Sequence, residues 1–109
     1  MSVFEVVAEP NRRRILDLLR GSEQPVGRLV DGLGLSQPAV SKHLRILREG
    51  GLVEVRVDAQ RRLYRLRPEP LLTMERWLEP YRHMWATSLD GLERHLDVME
   101  ESNHEEQPD

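Results

Sequence analysis

The sequence contains no cysteine, which excludes disulfide bonds, thiolate metal sites and cysteine nucleophiles. Long apolar runs are missing as well, because no stretch approaches the roughly 20 residues that a membrane-spanning helix needs. The N-terminal segment MSVFEVVAEP is shorter and more acidic than a secretory signal peptide. These absences predict a cytoplasmic protein.

Charge is plentiful, and it is divided unevenly along the chain. Charged residues make up 32% of the 109 residues, a composition that suits one helical globular domain with a well-solvated surface. Residues 1–70 hold 13 Lys and Arg against 9 Asp and Glu, whereas residues 71–109 hold 3 against 10. Within residues 36–67 the balance is 8 against 3. A basic middle indicates an anionic partner, with a solvated basic face as the alternative.

The first half of the chain has the pattern of closely spaced helices. The short apolar segment SVFEVVAE and a stretch that begins at Pro10 and ends near Gly21 both favour helix. Pro25 is expected to open another helix, in which residues 26–33 place apolar side chains at i, i+3, i+4 and i+7. Gly34 suits the left-handed end of that helix, and Ser36 suits the N-cap of the next one. Two helices joined by a short turn that contains Gly form a helix-turn-helix.

The second helix of this pair, residues 37–49, has two different faces. At about 100° per residue, Val40, Leu44 and Leu47 fall on one side. The opposite side is a strip of small, polar and basic side chains that fits the width of a DNA major groove. Its members are Gln37, Pro38, Ser41, Lys42, Arg45 and Arg48. We predict that this strip faces phosphates and base edges.

Residues 52–67 have the alternating pattern of a β-hairpin. Valines alternate with charged residues in LVEVRV, DAQ supplies a turn, and RRLYRLR returns. Arg61 and Arg62 lie at or near the tip. A helix-turn-helix followed by a basic hairpin is a winged helix, so we predict a mainly α fold with a small β-hairpin wing.

A long amphipathic helix is predicted from Leu71 to about Met99, with a kink or a break at Pro80. Its apolar stripe is long for so small a domain, so we expect a second subunit to cover it, with packing inside one chain as the alternative. We predict one domain over residues 1–101, and a disordered acidic tail over residues 102–109. The stripe residues expected at a dimer interface are Trp77, Tyr81, Trp85, Leu89, Leu92 and Leu96.

Three motifs, in order, resemble the ArsR/SmtB family of bacterial winged-helix repressors: AEPNRRRILDLL, LGLSQPAVSKHLRILREGGLVEVR and RRLYRL. The resemblance covers roughly residues 4–70. In addition, RWLEPYRHMWATSLDGLERHL is similar to the last helix of members that lack a recognised metal site. The resemblance implies homodimers that bind palindromic operators, often at their own promoters. It also implies an interface between first and last helices, which adds Val3 and Phe4 to the expected dimer contacts.

The resemblance implies roles for individual residues as well. Arg45 is the candidate for a bidentate guanine contact, and Gln37 for a base contact near the start of the recognition helix. Lys42 is expected to contact phosphate. The remaining expected DNA contacts are Pro38, Ser41, His43, Arg61 and Arg62.

Several of these residues have an alternative interpretation. His43 matches a frequent histidine of the family motif, yet it falls on the apolar side of its helix, so packing or an internal hydrogen bond competes with a DNA contact. Ser41 and Arg48 also suit a solvated surface. For the run 12–14, surface salt bridges between its arginines and neighbouring acids are the favoured interpretation.

The sequence departs from the family pattern in two places. Family members usually have Gly at the wing tip, where this chain has Asp58, Ala59 and Gln60. The first helix of the helix-turn-helix lacks the Cys-x-Cys motif of metal-sensing members. On the last helix, His83 and His95 are separated by about 120° around the axis, so they do not converge within one chain. A cross-dimer His and carboxylate site is the alternative.

The function predicted from these observations is a sequence-specific regulator of transcription, with no cofactor and with a small-molecule effector of unknown identity as a further candidate partner. A winged-helix module that binds protein is the alternative from another class, but it gives no reason for the basic cluster. An enzyme is not expected, because no serine or acid pair has a recognisable catalytic spacing.

Overall fold

The computed structural model describes the backbone of residues 1–106 and the side chains of residues 1–89 and 91–96. Two compact units are present, of which the first is Met1–Met74 and the second begins at Glu75. The elements in chain order are α1 (Val3–Ala8), α2 (Pro10–Leu19), β1 (Gln24–Pro25), α3 (Val26–Leu33), α4 (Gln37–Glu49), β2 (Val53–Asp58), β3 (Arg61–Leu66) and α5 (Leu71–Glu106).

The N-termini of α1 and α2 are both capped by side chains. Ser2 and Glu5 form a reciprocal capping box at α1, in which the Glu5 amide donates to Ser2 Oγ at 3.3 Å. Glu9 is at once the C-cap of α1 and the N-cap of α2. Pro10 occupies the first turn of α2, where its missing N–H costs nothing. One residue therefore joins the two helices.

The turn between α3 and α4 has the conformation that the sequence predicts. Gly34 has φ 68°, and its amide donates to the Val30 carbonyl at 3.0 Å. Ser36 is the N-cap of α4, and its Oγ accepts from the Ala39 amide at 3.3 Å. The helix-turn-helix is thus built by one left-handed glycine and one capping serine.

The wing has a third strand that the sequence analysis did not predict. Strand order is β1-β3-β2, all antiparallel, with Gln24 opposite Tyr64 and Pro25 opposite Leu63. Pro25 was expected to open α3, but it pairs in β1 and precedes the helix as its N-cap. The hairpin turn is Ala59–Gln60, and Ala59 takes φ 57° at a position that favours Gly or Asn.

The core lies between the helices and the inner face of the sheet, and it draws on every helix of the first unit. Its fully buried side chains are Val6, Ile15, Leu29, Val40, Leu44, Leu47 and Leu52. Tyr64 of the sheet joins the same cluster, while Leu71 and Met74 pack against it from the start of α5. The predicted winged helix is confirmed: mostly helical, with a small antiparallel sheet.

α5 is one continuous helix through Pro80, so a break is absent there, while the kink given as the other alternative stays a prediction. Its backbone remains helical through Glu106, beyond the start of the expected acidic tail. Residues 107–109 of that tail lie outside the described residues. Across the described part of the chain, no helix combines the length and apolar character needed to cross a membrane.

Candidate nucleic-acid interface

α4 is divided into a buried face and an exposed face. Val40, Leu44 and Leu47 have relative exposures of 0%, 1% and 0%. The opposite side chains are exposed, which places the predicted strip on the outer surface of the helix-turn-helix. Its exposed members are Gln37, Pro38, Ser41, Lys42, Arg45 and Arg48.

The basic side chains of α4 have no partner in the part of the chain that the structure describes. Among the described side chains, Lys42, Arg45 and Arg48 form no hydrogen bond and no ion pair. Arg28, exposed on α3, likewise forms no hydrogen bond and no ion pair among the described side chains. Arg28 is not among the residues predicted from the sequence, because it stands outside the recognition motif. A positive surface whose basic groups form no ion pair attracts an anion.

The arginines on the outer face of the wing are instead paired with acids. Arg56 binds both oxygens of Glu23, with Arg56 Nε 2.9 Å from Oε2. Arg65 pairs with Glu54, which also lies 3.5 Å from Arg67. A recess of about 260 Å³ on this face is lined by these paired residues. Hydrogen bonding from Arg56 lowers the pKa of Glu23 below its ordinary value.

Arg61 and Arg62 lie on opposite faces of the hairpin. Arg62 stands opposite Val57 in the register, on the face that carries Val53 and Tyr64 into the core. It forms no hydrogen bond or ion pair with the described side chains. Arg61 lies on the outer face, with Nη2 3.7 Å from Asp58 Oδ2. Of the two arginines near the tip, Arg62 is therefore the one whose charge is not compensated by a described acid.

His43 points inward, away from the exposed strip. Its side chain is 17% exposed, and its Nδ1 lies 3.8 Å from Glu9 Oε2. Nδ1 is buried and has no hydrogen-bond partner within the described structure. This geometry favours the internal interpretation of His43 over a DNA contact.

Among the described side chains, the arginine run 12–14 does not form the surface salt bridges that the sequence favours. Arg12 Nε donates to the Val6 carbonyl at 2.6 Å, and Arg13 Nη1 donates to the Val7 carbonyl at 2.8 Å. Arg14 binds Asn11 Oδ1 at 3.2 Å. Arg12 and Arg13 therefore satisfy carbonyls at the end of α1, a role that charge patterns alone do not reveal.

The residues expected at a dimer interface differ in exposure. Val3 is partly buried and packs against the core, while Phe4 is 37% exposed. Trp77 and Tyr81 form a tilted ring pair with centroids 5.3 Å apart. The apolar stripe of α5 is about half exposed along its length, with Trp77 at 56%, Tyr81 at 42%, Trp85 at 50%, Leu89 at 62%, Leu92 at 52% and Leu96 at 52%.

Metal-ligating side chains are scattered. Among the side chains that the structure describes, no group of three His, Asp or Glu converges in a way that would hold a metal ion. His83 pairs loosely with Glu79, at 4.0 Å, one helical turn away. A site shared across a dimer stays a prediction.

Comparison with known proteins connects the chain to regulators of transcription. Residues 9–55 match the family described as bacterial regulatory protein, arsR family. The transcriptional repressor SdpR of Bacillus subtilis strain 168 is 31% identical over 77 residues, which cover 71% of this chain and 86% of SdpR. The HTH-type transcriptional regulator Rv2034 of Mycobacterium tuberculosis H37Rv is 33% identical over 94 residues, which cover 86% and 85% of the two chains.

A solved structure has the same fold. The ArsR-like transcriptional regulator from Rhodococcus sp. RHA1 is 29% identical and superposes with a TM-score of 0.64, over 84% of this chain and 87% of that one. These similar proteins are regulators of transcription and not enzymes.

Proposed function

This chain belongs to the ArsR family of bacterial regulatory proteins, and from that premise we propose that it is a homodimeric repressor that binds a palindromic DNA operator. The recognition helix α4 enters the major groove, and the wing formed by β2 and β3 contacts the adjacent backbone. Residues 1–101 supply both DNA binding and dimerisation.

One observation carries this proposal: the exposed face of α4 holds basic side chains that have no partner among the described side chains, while the other face is buried. Arg56 and Arg65 on the outer face of the wing are instead paired with Glu23 and Glu54. The unpaired basic side chains of α4 lie where a helix-turn-helix presents its second helix to DNA. Phosphate neutralisation by such charges supplies affinity.

Individual side chains divide between reading bases and contacting the backbone. Arg45 has the fork of donors that matches guanine O6 and N7, and Gln37 can bind adenine near the start of the helix. Lys42 and Arg62 contact phosphates, and Arg61 contributes less because Asp58 lies beside it. Pro38 and Ser41 are small and let the helix approach the base edges.

The exposed apolar stripe of α5 supports the homodimer. An apolar surface of this length on a small protein is typical of a protein interface. In the proposed dimer, α5 packs against its counterpart, with Phe4 and Val3 of α1 at the same interface. Two-fold symmetry then requires a palindromic operator.

Repression, rather than activation, is proposed because the similar protein SdpR is a transcriptional repressor. Regulation of the protein's own promoter is proposed as well, together with action in the cytoplasm, where the operator DNA is located. A small-molecule effector that releases the DNA remains a prediction.

Selection of duplexes from a random pool by the purified protein tests this proposal. An inverted repeat with half-sites about 10 base pairs apart, centre to centre, is expected, because two recognition helices of a dimer lie one DNA turn apart. Enrichment of a single unrepeated site would contradict the homodimer. If the bound duplexes show no enriched sequence, sequence-specific binding is contradicted.

A further inference from the structure

His43 is the one residue of α4 whose polar atom is both buried and without a hydrogen-bond partner in the described structure. Its Nδ1 lies 3.8 Å from Glu9 Oε2, just beyond hydrogen-bond distance. The Glu9 side chain is itself 30% exposed. Because Nδ1 is shielded from water, its partner must come from the protein, and the acid beside it is Glu9.

Glu9 occupies the corner where α1 and α2 meet. Its Oε2 accepts from the Arg12 amide at 2.9 Å and so caps α2. The guanidinium groups of Arg12 and Arg13 are turned to the carbonyls at the end of α1, which leaves His43 as the ion-pair partner that the structure gives Glu9.

The chemistry of the pair decides which nitrogen of His43 carries a proton. A carboxylate only accepts hydrogen bonds, and a bare Nδ1 would direct a lone pair at it. A proton on Nδ1 converts this repulsion into a charge-assisted hydrogen bond. To form this bond, Nδ1 and Oε2, which lie 3.8 Å apart, must approach by about 1 Å.

We propose that His43 donates its Nδ1 proton to Glu9 and thereby fixes α4 against the α1–α2 corner, which makes His43 a positioning residue and not a DNA contact. The proposal rests on the proposed DNA-binding function, since its consequence is the orientation of the recognition helix. The exposed strip, which includes Lys42 and Arg45, is then held at a fixed angle to the rest of the domain.

Nitrogen-15 NMR of the histidine ring in the free protein tests the bond itself. The Nδ1 shift of His43 is expected to report a bound proton in the wild type. In Glu9→Ser, which keeps an N-capping residue but lacks the reach to His43, the proton is expected to move to Nε2. A wild-type His43 with a bare Nδ1, or a tautomer that Glu9→Ser leaves unchanged, would overturn the proposal.

Operator affinity tests the consequence. Glu9→Ser and His43→Gln are each expected to weaken binding about fivefold, the value of one hydrogen bond. The double variant should lose no more than either single one, because both changes remove the same bond. His43→Asn should retain most of the wild-type affinity, because its amide nitrogen lies close to the position of Nδ1 and can donate to Glu9. The salt dependence should stay at the wild-type value, because no phosphate contact is lost.

Two results separate this inference from the proposed function. Additive losses would show that Glu9 and His43 act independently, and a reduced salt dependence in His43→Gln would show that His43 contacts a phosphate. Either result would overturn the positioning role while leaving the regulator intact. A wild type that binds no duplex would overturn the proposed function and the role in orienting DNA contacts, and the NMR result would still decide the bond. Thermal unfolding of each variant identifies losses that come from misfolding.

Discussion

Arg61 and Arg62 are neighbours in the sequence, yet the hairpin places an acid beside only one of them. Arg61 lies 3.7 Å from Asp58, whereas Arg62 has no acid partner among the described side chains. We expect Arg62→Ala to weaken binding to every duplex alike. The slope of log affinity against log salt should fall by about two, one phosphate per protomer. Arg61→Ala is the matched control, and an equal effect from it would contradict this assignment.

Arg45 is expected to read a base, so its removal should affect specificity more than general affinity. Arg45→Ala should reduce the preference for the operator over a scrambled duplex by about 5- to 150-fold for each half-site, the range of one bidentate base contact. Anisotropy titrations with the two duplexes measure this preference. Equal losses on both duplexes would assign Arg45 to the phosphate backbone.

Single residues also mark the limit of what the sequence predicts. The spacing of about 100° per residue correctly separates the buried from the exposed side chains of residues 37–49, because helical periodicity determines which side faces the core. His43 stays ambiguous in the sequence, since it lies near the edge of the apolar face and its partner Glu9 belongs to another helix. Arg12 and Arg13 bind backbone carbonyls, and a residue pattern carries no signal for such acceptors.

At the scale of elements, the turn between α3 and α4 depends on the backbone conformation of one residue. Gly34 has φ 68°, which costs an L-residue about 1 kcal/mol or more. We expect Gly34→Ala to lower the free energy of unfolding by about that amount, although nothing lies within 4 Å of the added Cβ. Denaturant unfolding measures the change.

Gly27 provides the control for this turn. It lies within α3 and also has nothing within 4 Å of an added Cβ. Gly27→Ala should be neutral or should stabilise the protein by up to about 1 kcal/mol, because Ala favours helix. If both variants lose the same stability, the left-handed conformation of Gly34 is not the cause.

The elements differ in how much local signal they carry. Helices α2, α3 and α4 and the strands β2 and β3 follow periodic apolar patterns, and the sequence predicts all of them. β1 is two residues long, one of them Pro25, and it exists because β3 lies beside it. Such a strand depends on a long-range pairing, which no local period reveals. At Pro80 the sequence predicts a kink or a break, and the break is absent because a proline can be accommodated inside a long helix.

At the scale of the whole molecule, the proposed dimer depends on the apolar stripe of α5. Trp85 is 50% exposed in the middle of that stripe. We expect Trp85→Ala to raise the dimer dissociation constant about tenfold or more, as removal of a buried aromatic anchor does. Sedimentation at micromolar concentration measures the shift.

Arg94 offers a matched control on the same helix. It lies nine residues beyond Trp85, about 180° around the axis, and its side chain is exposed. Arg94→Ala should leave the sedimentation behaviour as in the wild type. A wild-type monomer at these concentrations, or equal weakening by both variants, would contradict an interface built on the stripe.

Fluorescence anisotropy with DNA from upstream of the protein's own gene, beside a scrambled duplex and at two salt concentrations, tests the central claim most directly. We expect tight binding to the upstream duplex alone, weakening steeply as salt rises because counterions are released from the phosphates. Equal weak binding to both duplexes would contradict sequence-specific autoregulation. No binding to either duplex at low salt would contradict the assignment of the basic face of α4 to DNA.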